Sequence, residues 1–135
     1  MPAKELNDLI QQSVIVSTMM LTVIKNMHED YGDKNKHPGA VYEQLIVAFV
    51  LWREDSMLNP KPVNEIAKET GIPPTNVRRA VRTLCNVGIL AEPRHRRYAR
   101  NTDYIAARLK SRQYKNIRKA IVTAGLALGK IYKVK

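Results

Sequence analysis

Seven arginines fall between positions 78 and 100: Arg78, Arg79, Arg82, Arg94, Arg96, Arg97 and Arg100. A guanidinium carries its charge at every physiological pH. It presents a rigid fork of donors that matches a phosphate or the edge of a guanine. The chemistry this cluster offers is recognition of a polyanion. No second set of residues offers catalysis. The three histidines, His28, His37 and His95, are scattered along the chain. A metal site can be drawn from His28, Glu29, Asp30 and His37, but no pair of these has the i, i+4 helix spacing of a ligand pair. There is no phosphate-cradling GxxxxGK, no nucleophile elbow and no Cys–His pairing. No catalytic residue, metal or cofactor is expected, and the chain does not read as an enzyme. Cys85 follows Leu84 and reads as a small core residue. Its neighbour Arg82 would depress the thiol pKa if the side chain were exposed, which leaves a thiol switch as the alternative.

The charge is unevenly spread. The 135-residue chain has a formal net charge of +11. Residues 1–73 hold seven basic and ten acidic side chains, whereas residues 74–135 hold sixteen basic and two acidic. A lopsided distribution of this kind marks a polyanion-binding face, the alternative being a basic tail that only aids solubility. The length suits one domain, and 44% hydrophobic residues suffice for a small core. The longest apolar stretch, Val14 to Ile24, is interrupted by Ser17, Thr18 and Thr22, too short for a membrane span. The start, MPAKELND, lacks a signal-peptide pattern, and a single Cys fits a reducing cytoplasm.

The arginines need elements to aim them. Val63 to Gly88 reads as two helices joined by a tight turn. Ile66 and Ala67 form the inner side of the first, and Gly71 stands where a chain leaving a helix needs a left-handed residue. Ile72 then points back toward the core. Pro74 suits the first position of a new helix and holds Pro73 extended, as a cap residue must be. In this second helix, 74–87, Val77, Val81 and Leu84 share one face at i, i+4, i+7. Thr75, Asn76, Arg78, Arg79 and Arg82 project from the other. A short helix with an apolar back and an arginine-rich front is what the major groove admits.

The run EIAKETGIPPTNVRRAVRTLCNVGIL resembles the core of winged-helix regulators, particularly the MarR type. The residues that carry the resemblance are Ile66-Ala67, Gly71-Ile72, Val77, Arg79, Leu84 and Gly88-Ile89-Leu90. It extends over residues 41–101. It implies a mainly α fold: a three-helix core with a short two-stranded wing, flanked by long terminal helices that dimerise. It also implies that a small effector sits between the dimer helices and the winged core, although no polar cluster in the sequence identifies one. In one departure from the family, Pro73 stands where a Ser-type cap is usual, so the second helix lacks a side-chain cap.

Around this core, Val41 to Trp52 reads as a helix with Leu45, Ala48, Phe49 and Trp52 facing inward, and 30–39 reads as a loop. After Gly88, Ile89–Ala91 and Arg97–Arg100 read as strands about a turn over 92–96. The wing contacts, over 93–98, are then Arg94, Arg96 and Arg97, suited to a narrow minor groove or to phosphates. The alternative is a solvated hairpin. Residues 3–28 read as a helix striped by Leu9, Val16, Met20, Val23 and Met27, with Ile15, Met19 and Ile24 widening the apolar surface. That width calls for cover on more than one side. A last helix over 103–131, bent near Ser111, carries Ile117, Ile121, Ala124, Leu128 and Ile131 at the spacing of a helix–helix seam. Asn101-Thr102-Asp103 offers its cap.

These readings converge on a single-domain homodimer. Double-stranded DNA and a second copy of the chain are its expected partners, and transcriptional regulation in the cytoplasm, without a membrane, its expected role. Thr75, Asn76, Arg78 and Arg79 are expected at base edges and Arg82 on a phosphate. The ten seam residues of the terminal helices are expected at the dimer interface. A plasmid or phage replication or partition factor uses the same DNA-binding physics, and a winged protein-interaction module is the non-DNA alternative.

Overall fold

A computed structural model describes residues 1–30 and 38–132. Most of the loop expected over 30–39 lies outside them, His37 included. Its ends are helical, because α1 runs over Ala3–Asp30 and α2 over Pro38–Trp52. Then follow α3 (Val63–Thr70), α4 (Pro74–Asn86), β1 (Leu90–Arg94), β2 (Arg97–Arg100), α5 (Thr102–Arg108) and α6 (Arg112–Ile131). The architecture is the mainly helical one expected, with one two-stranded antiparallel sheet. Where the length suggested one domain, the chain packs as two compact units: residues 33–108, and the two terminal segments 1–32 and 109–135.

The first unit is the winged one. Its core is built by Val47, Ala48 and Leu51 of α2, Ile66 of α3, Val77, Val81 and Leu84 of α4, Leu90 of β1 and Ala99 of β2, all at or near zero exposure. The α4 residues are the set that helical spacing placed on one face. On α2 the outcome differs from expectation. Leu45 and Ala48 are buried, but Phe49 is 39% exposed and Trp52 only half-buried, while Val41, Val47, Val50 and Leu51 fill the core. From Leu45 to Trp52 this helix is apolar around its whole circumference, so periodicity cannot say which side faces in.

Two left-handed glycines make the turns. Gly71, at φ +75°, ends α3 and donates its N–H to the Ala67 carbonyl at 2.9 Å. Gly88, at φ +84°, reverses the chain after α4, and Ile89 then donates back to the Leu84 carbonyl at 2.9 Å. Pro73 caps α4 without a side-chain hydrogen bond, as its chemistry requires. Ile72 is half-buried. Strand β1 runs on to Arg94, so the wing turn narrows to His95 and Arg96, with a bulge between Ala91 and Arg94.

The second unit pairs α1 with α6. The single bent helix expected over 103–131 is two helices. Ser111 adopts an extended conformation, and its hydroxyl accepts the Tyr114 N–H at 3.1 Å, starting α6 afresh. Asn101 caps α5 through its side-chain oxygen, and its amide donates to the Gly88 carbonyl at 2.8 Å. Between α1 and α6 lie Ile15, Met19, Thr22 and Asn26 on one side and Asn116, Ala120 and Ala124 on the other. Asn26 is buried and satisfied, donating to the Thr22 carbonyl at 2.8 Å and accepting from Asn116 at 3.2 Å.

Candidate nucleic-acid interface

The front of α4 keeps its cations in solvent. Thr75, Arg78, Arg79 and Arg82 are exposed, directly opposite the buried Val77, Ala80, Val81 and Leu84. Among the described residues, Arg78, Arg79, Arg82, Arg94 and Arg96 make no ion pair. Unpaired exposed guanidiniums retain their full capacity for an external anion. The departure is Asn76. It is half-buried, and its amide donates to the Glu43 carboxylate of α2 at 3.0 Å. The structure therefore directs this side chain back to α2, where it ties the start of α4 to the helix behind it. Helical spacing put Asn76 on the exposed front, because spacing within α4 carries no information about α2, which packs against the start of α4.

A groove of about 660 Å³ opens between α4, the start of α3 and the wing. Arg78, Arg82, Cys85 and Asn86 line it from α4, Pro62, Val63 and Asn64 from the start of α3, and Glu92, Arg96 and Tyr98 from the wing. The arginines of α4 thus divide. Arg78 and Arg82 edge the groove beside Arg96, while Arg79 stands outside it. Arg96 holds a left-handed backbone at φ +57°, fixed by its N–H donating to the Glu92 carboxylate at 2.8 Å. Arg94 is exposed, and Arg97, also exposed, spends one guanidinium N–H on the Pro60 carbonyl at 3.3 Å.

The groove changes the reading of Cys85. Burial, then the nearby Glu92 carboxylate, pushes the thiol above its ordinary value. The depressed pKa that Arg82 was expected to supply does not arise, because desolvation and a nearby anion both disfavour the thiolate. Tyr98 is shifted the same way, by burial first and Glu92 next.

Several residues that position the wing carried no signal in the sequence. Lys61 pairs with Tyr98 through two backbone hydrogen bonds of 2.8 Å, an isolated antiparallel bridge on β2. The Lys61 side chain, 10% exposed, bridges Glu54 and Glu69, at 2.9 Å to the latter. Ser56 is fully buried, and its hydroxyl donates to the Leu51 carbonyl at 2.8 Å and accepts the Arg100 N–H at 2.7 Å. Each is a polar residue in a connector, and only the return of the chain onto β2 gives it a partner.

The expected dimer residues fall into two groups. Ile117 and Ala124 are buried, and Val23, Met27, Leu128 and Ile131 are half-buried. Leu9, Val16, Met20 and Ile121 are 41–49% exposed. No metal-binding cluster of His, Cys, Asp or Glu occurs among the described residues, and no helix there is long and apolar enough to cross a membrane.

Comparison with curated proteins and with solved structures gives no match. The MarR-type motifs and the matching family model agree on a helix-turn-helix and differ on the branch. Residues 58–93, which span α3, α4 and most of β1, match the model of the IclR helix-turn-helix domain, and this match supports DNA binding by the winged unit.

Proposed function

We infer that the protein is a homodimeric, sequence-specific binder of double-stranded DNA that regulates transcription in the cytoplasm. The observation that carries this reading is the exposed, unpaired arginine front of a helix-turn-helix whose segment matches a known domain of that type. In this reading α4 enters the major groove. Thr75, Arg78 and Arg79 face base edges, Arg82 takes a phosphate, and Asn76 positions the helix start through Glu43. Arg94 and Arg96 reach phosphates or the minor groove from the wing, with Arg97 contributing its remaining donors.

The dimer follows the MarR-like arrangement, in which terminal helices carry it. Leu6, Ile10, Val14, Leu21 and Ile24 of α1 are 48–70% exposed, as are Val122 and Leu126 of α6 at 55% and 69%. With Leu9, Val16, Met20 and Ile121 they expose apolar area on the order of 1,000 Å². Apolar area of this order, summed over two helices, calls for cover, which a second copy supplies in this reading. Gly125 and Gly129, four apart between these side chains, have open space where a Cβ would stand, so another helix can approach closely. A two-fold axis would set the two α4 helices about 34 Å apart on a pseudo-palindrome.

The test is selection from a random duplex library, followed by salt titration of any enriched site. A two-fold-symmetric site with affinity falling steeply in salt is the expected result. Salt-sensitive binding without enrichment points instead to a replication or architectural role. No binding at low salt removes the DNA reading.

A further inference from the structure

More than half of the basic side chains after residue 73 lie beyond the wing. Helix α6 contains no acidic residue, and its first two turns carry Arg112, Lys115, Arg118 and Lys119, all exposed. At 100° per residue, Arg112, Lys115 and Lys119 fall within one 60° sector of α6, opposite the buried Ile117 and Ala124, and Lys119 also edges the groove between α6 and α1. Among the described residues none of the three has an ion-pair partner. Arg118 lies off this sector, over the Tyr114 ring at 5.9 Å.

The arrangement breaks two local rules at once. Like charges at i, i+3 and i, i+4 repel, and cations in the first turn oppose the helix dipole. Among the described residues no carboxylate stands within ion-pair distance of the three to offset either effect. Uncompensated self-repulsion on one exposed face is the mark of a surface kept for an external anion.

Resting on the DNA-binding reading above, we propose that the Arg112–Lys115–Lys119 face of α6 is a second phosphate-binding surface, contacting the backbone of the same duplex outside the recognition helix and wing. The three residues span about 10 Å of helix, over which one strand of a duplex presents about three phosphates. The face holds cations only, two of them lysines, which bind phosphates as point charges and carry no base code. It therefore adds affinity and footprint and leaves sequence choice to α4. Only Leu109, Lys110 and Ser111 separate α5 from α6. A chain docked through its winged unit thus holds this face tethered to the same polyanion at high effective concentration.

The experiment compares the full-length protein with the triple variant R112A/K115A/K119A. Alanine is the best helix former, and all three sites are exposed, so the variant keeps its fold. Circular dichroism and light scattering verify fold and oligomeric state, and the milder K115Q/K119Q pair serves if the triple variant fails either check. Affinity for a labelled duplex of about 30 base pairs, selected or random in sequence, is measured from low to moderate salt. The expected result is a uniform loss on both duplexes, with the magnitude of the log–log salt slope falling by about 2–3 per bound protomer, about 5 for a dimer, and the specificity ratio unchanged. An unchanged slope overturns the proposal while leaving the function reading intact. So does a loss of binding to phosphatidylglycerol vesicles with duplex binding unaffected, which would assign the face to a membrane. Failure of the unaltered protein to bind any duplex removes both.

Discussion

The two units solve the problem of apolar surface in opposite ways. The winged unit closes its core. Leu51, Ile66, Val77, Val81, Leu84 and Leu90 are sealed inside it, and the cations it exposes are aimed outward by that packing. Among its described residues the α1–α6 pair buries only Ile117, Ala124 and Asn26 and leaves many large apolar side chains open. Two helices crossing once bury one stripe of each, so a helix apolar on two sides stays half-bare until something else arrives. The winged unit presents charge over a closed core, and the other presents a large apolar surface beside the cationic first turns of α6. In the proposed reading, a dimer on a two-fold DNA site uses both.

The largest effect that can break this contrast is a cavity in the sealed unit. Leu84→Ala, at a fully buried site of α4, should cost about 2–5 kcal/mol in denaturant unfolding, independent of protein concentration. Leu126→Ala, at 69% exposure, should change monomer stability by less than about 0.5 kcal/mol while weakening any dimer. Equal costs for the two would erase the distinction between the units.

Next in size is a charge placed on the open face. Leu21→Glu should raise the dimer dissociation constant about 100-fold or more, because the carboxylate is buried unpaired at the interface. Sedimentation velocity reads the outcome, and circular dichroism should find the winged unit folded. A chain that is monomeric before substitution would remove the second copy as the cover for this face.

A smaller loss should follow Arg79→Ala. Binding of the selected site should weaken by about 1–3 kcal/mol with relaxed preference at one position, whereas Arg82→Ala should weaken all duplexes alike. The two patterns, read by competition with base-substituted sites, separate the open side of α4 from its groove edge.

The subtlest effect is on pH dependence. Hydrogen bonding to Lys61 and its charge hold the Glu54 carboxyl below its ordinary 4.5. Burial alone would lower Lys61, but its hydrogen bonds to Glu54 and Glu69 outweigh burial and hold it above 10.5. The Glu54 contribution is present above pH 4.5 and is lost as pH falls through the lowered folded value. The Lys61 contribution is present below 10.5 and is lost as pH rises through the raised one. Melting temperatures of Lys61→Met should lack both of these shoulders, at a lower plateau between them. Identical pH profiles would mean the wing is held by the backbone bridge to Tyr98 alone.

How much of this was legible in the chain depends on the range of the forces involved. The helix-turn-helix was readable because its causes are local. Gly71 and Gly88 need left-handed backbone, Pro73-Pro74 can only restart a helix, and Val77, Val81 and Leu84 share a face by geometry alone. The candidate arginines were readable for the same reason, since they are whatever the apolar back of α4 leaves outside. Asn76 was misread because Glu43 reaches it from 33 positions away.

The sequence by itself therefore determined the element types of the winged unit, the outward arginines and the excess of apolar surface on the terminal helices. Each of these follows from residue type and from spacing within a few turns. Tertiary structure alone decided which side of the uniformly apolar α2 is core, and how Lys61 and Ser56 anchor the wing. It also decided that Cys85 sits where burial and Glu92 hold its thiol protonated, and that Ser111 parts α5 from α6 into separate units. Those outcomes depend on desolvation and on partners brought together across the fold, which no local pattern encodes.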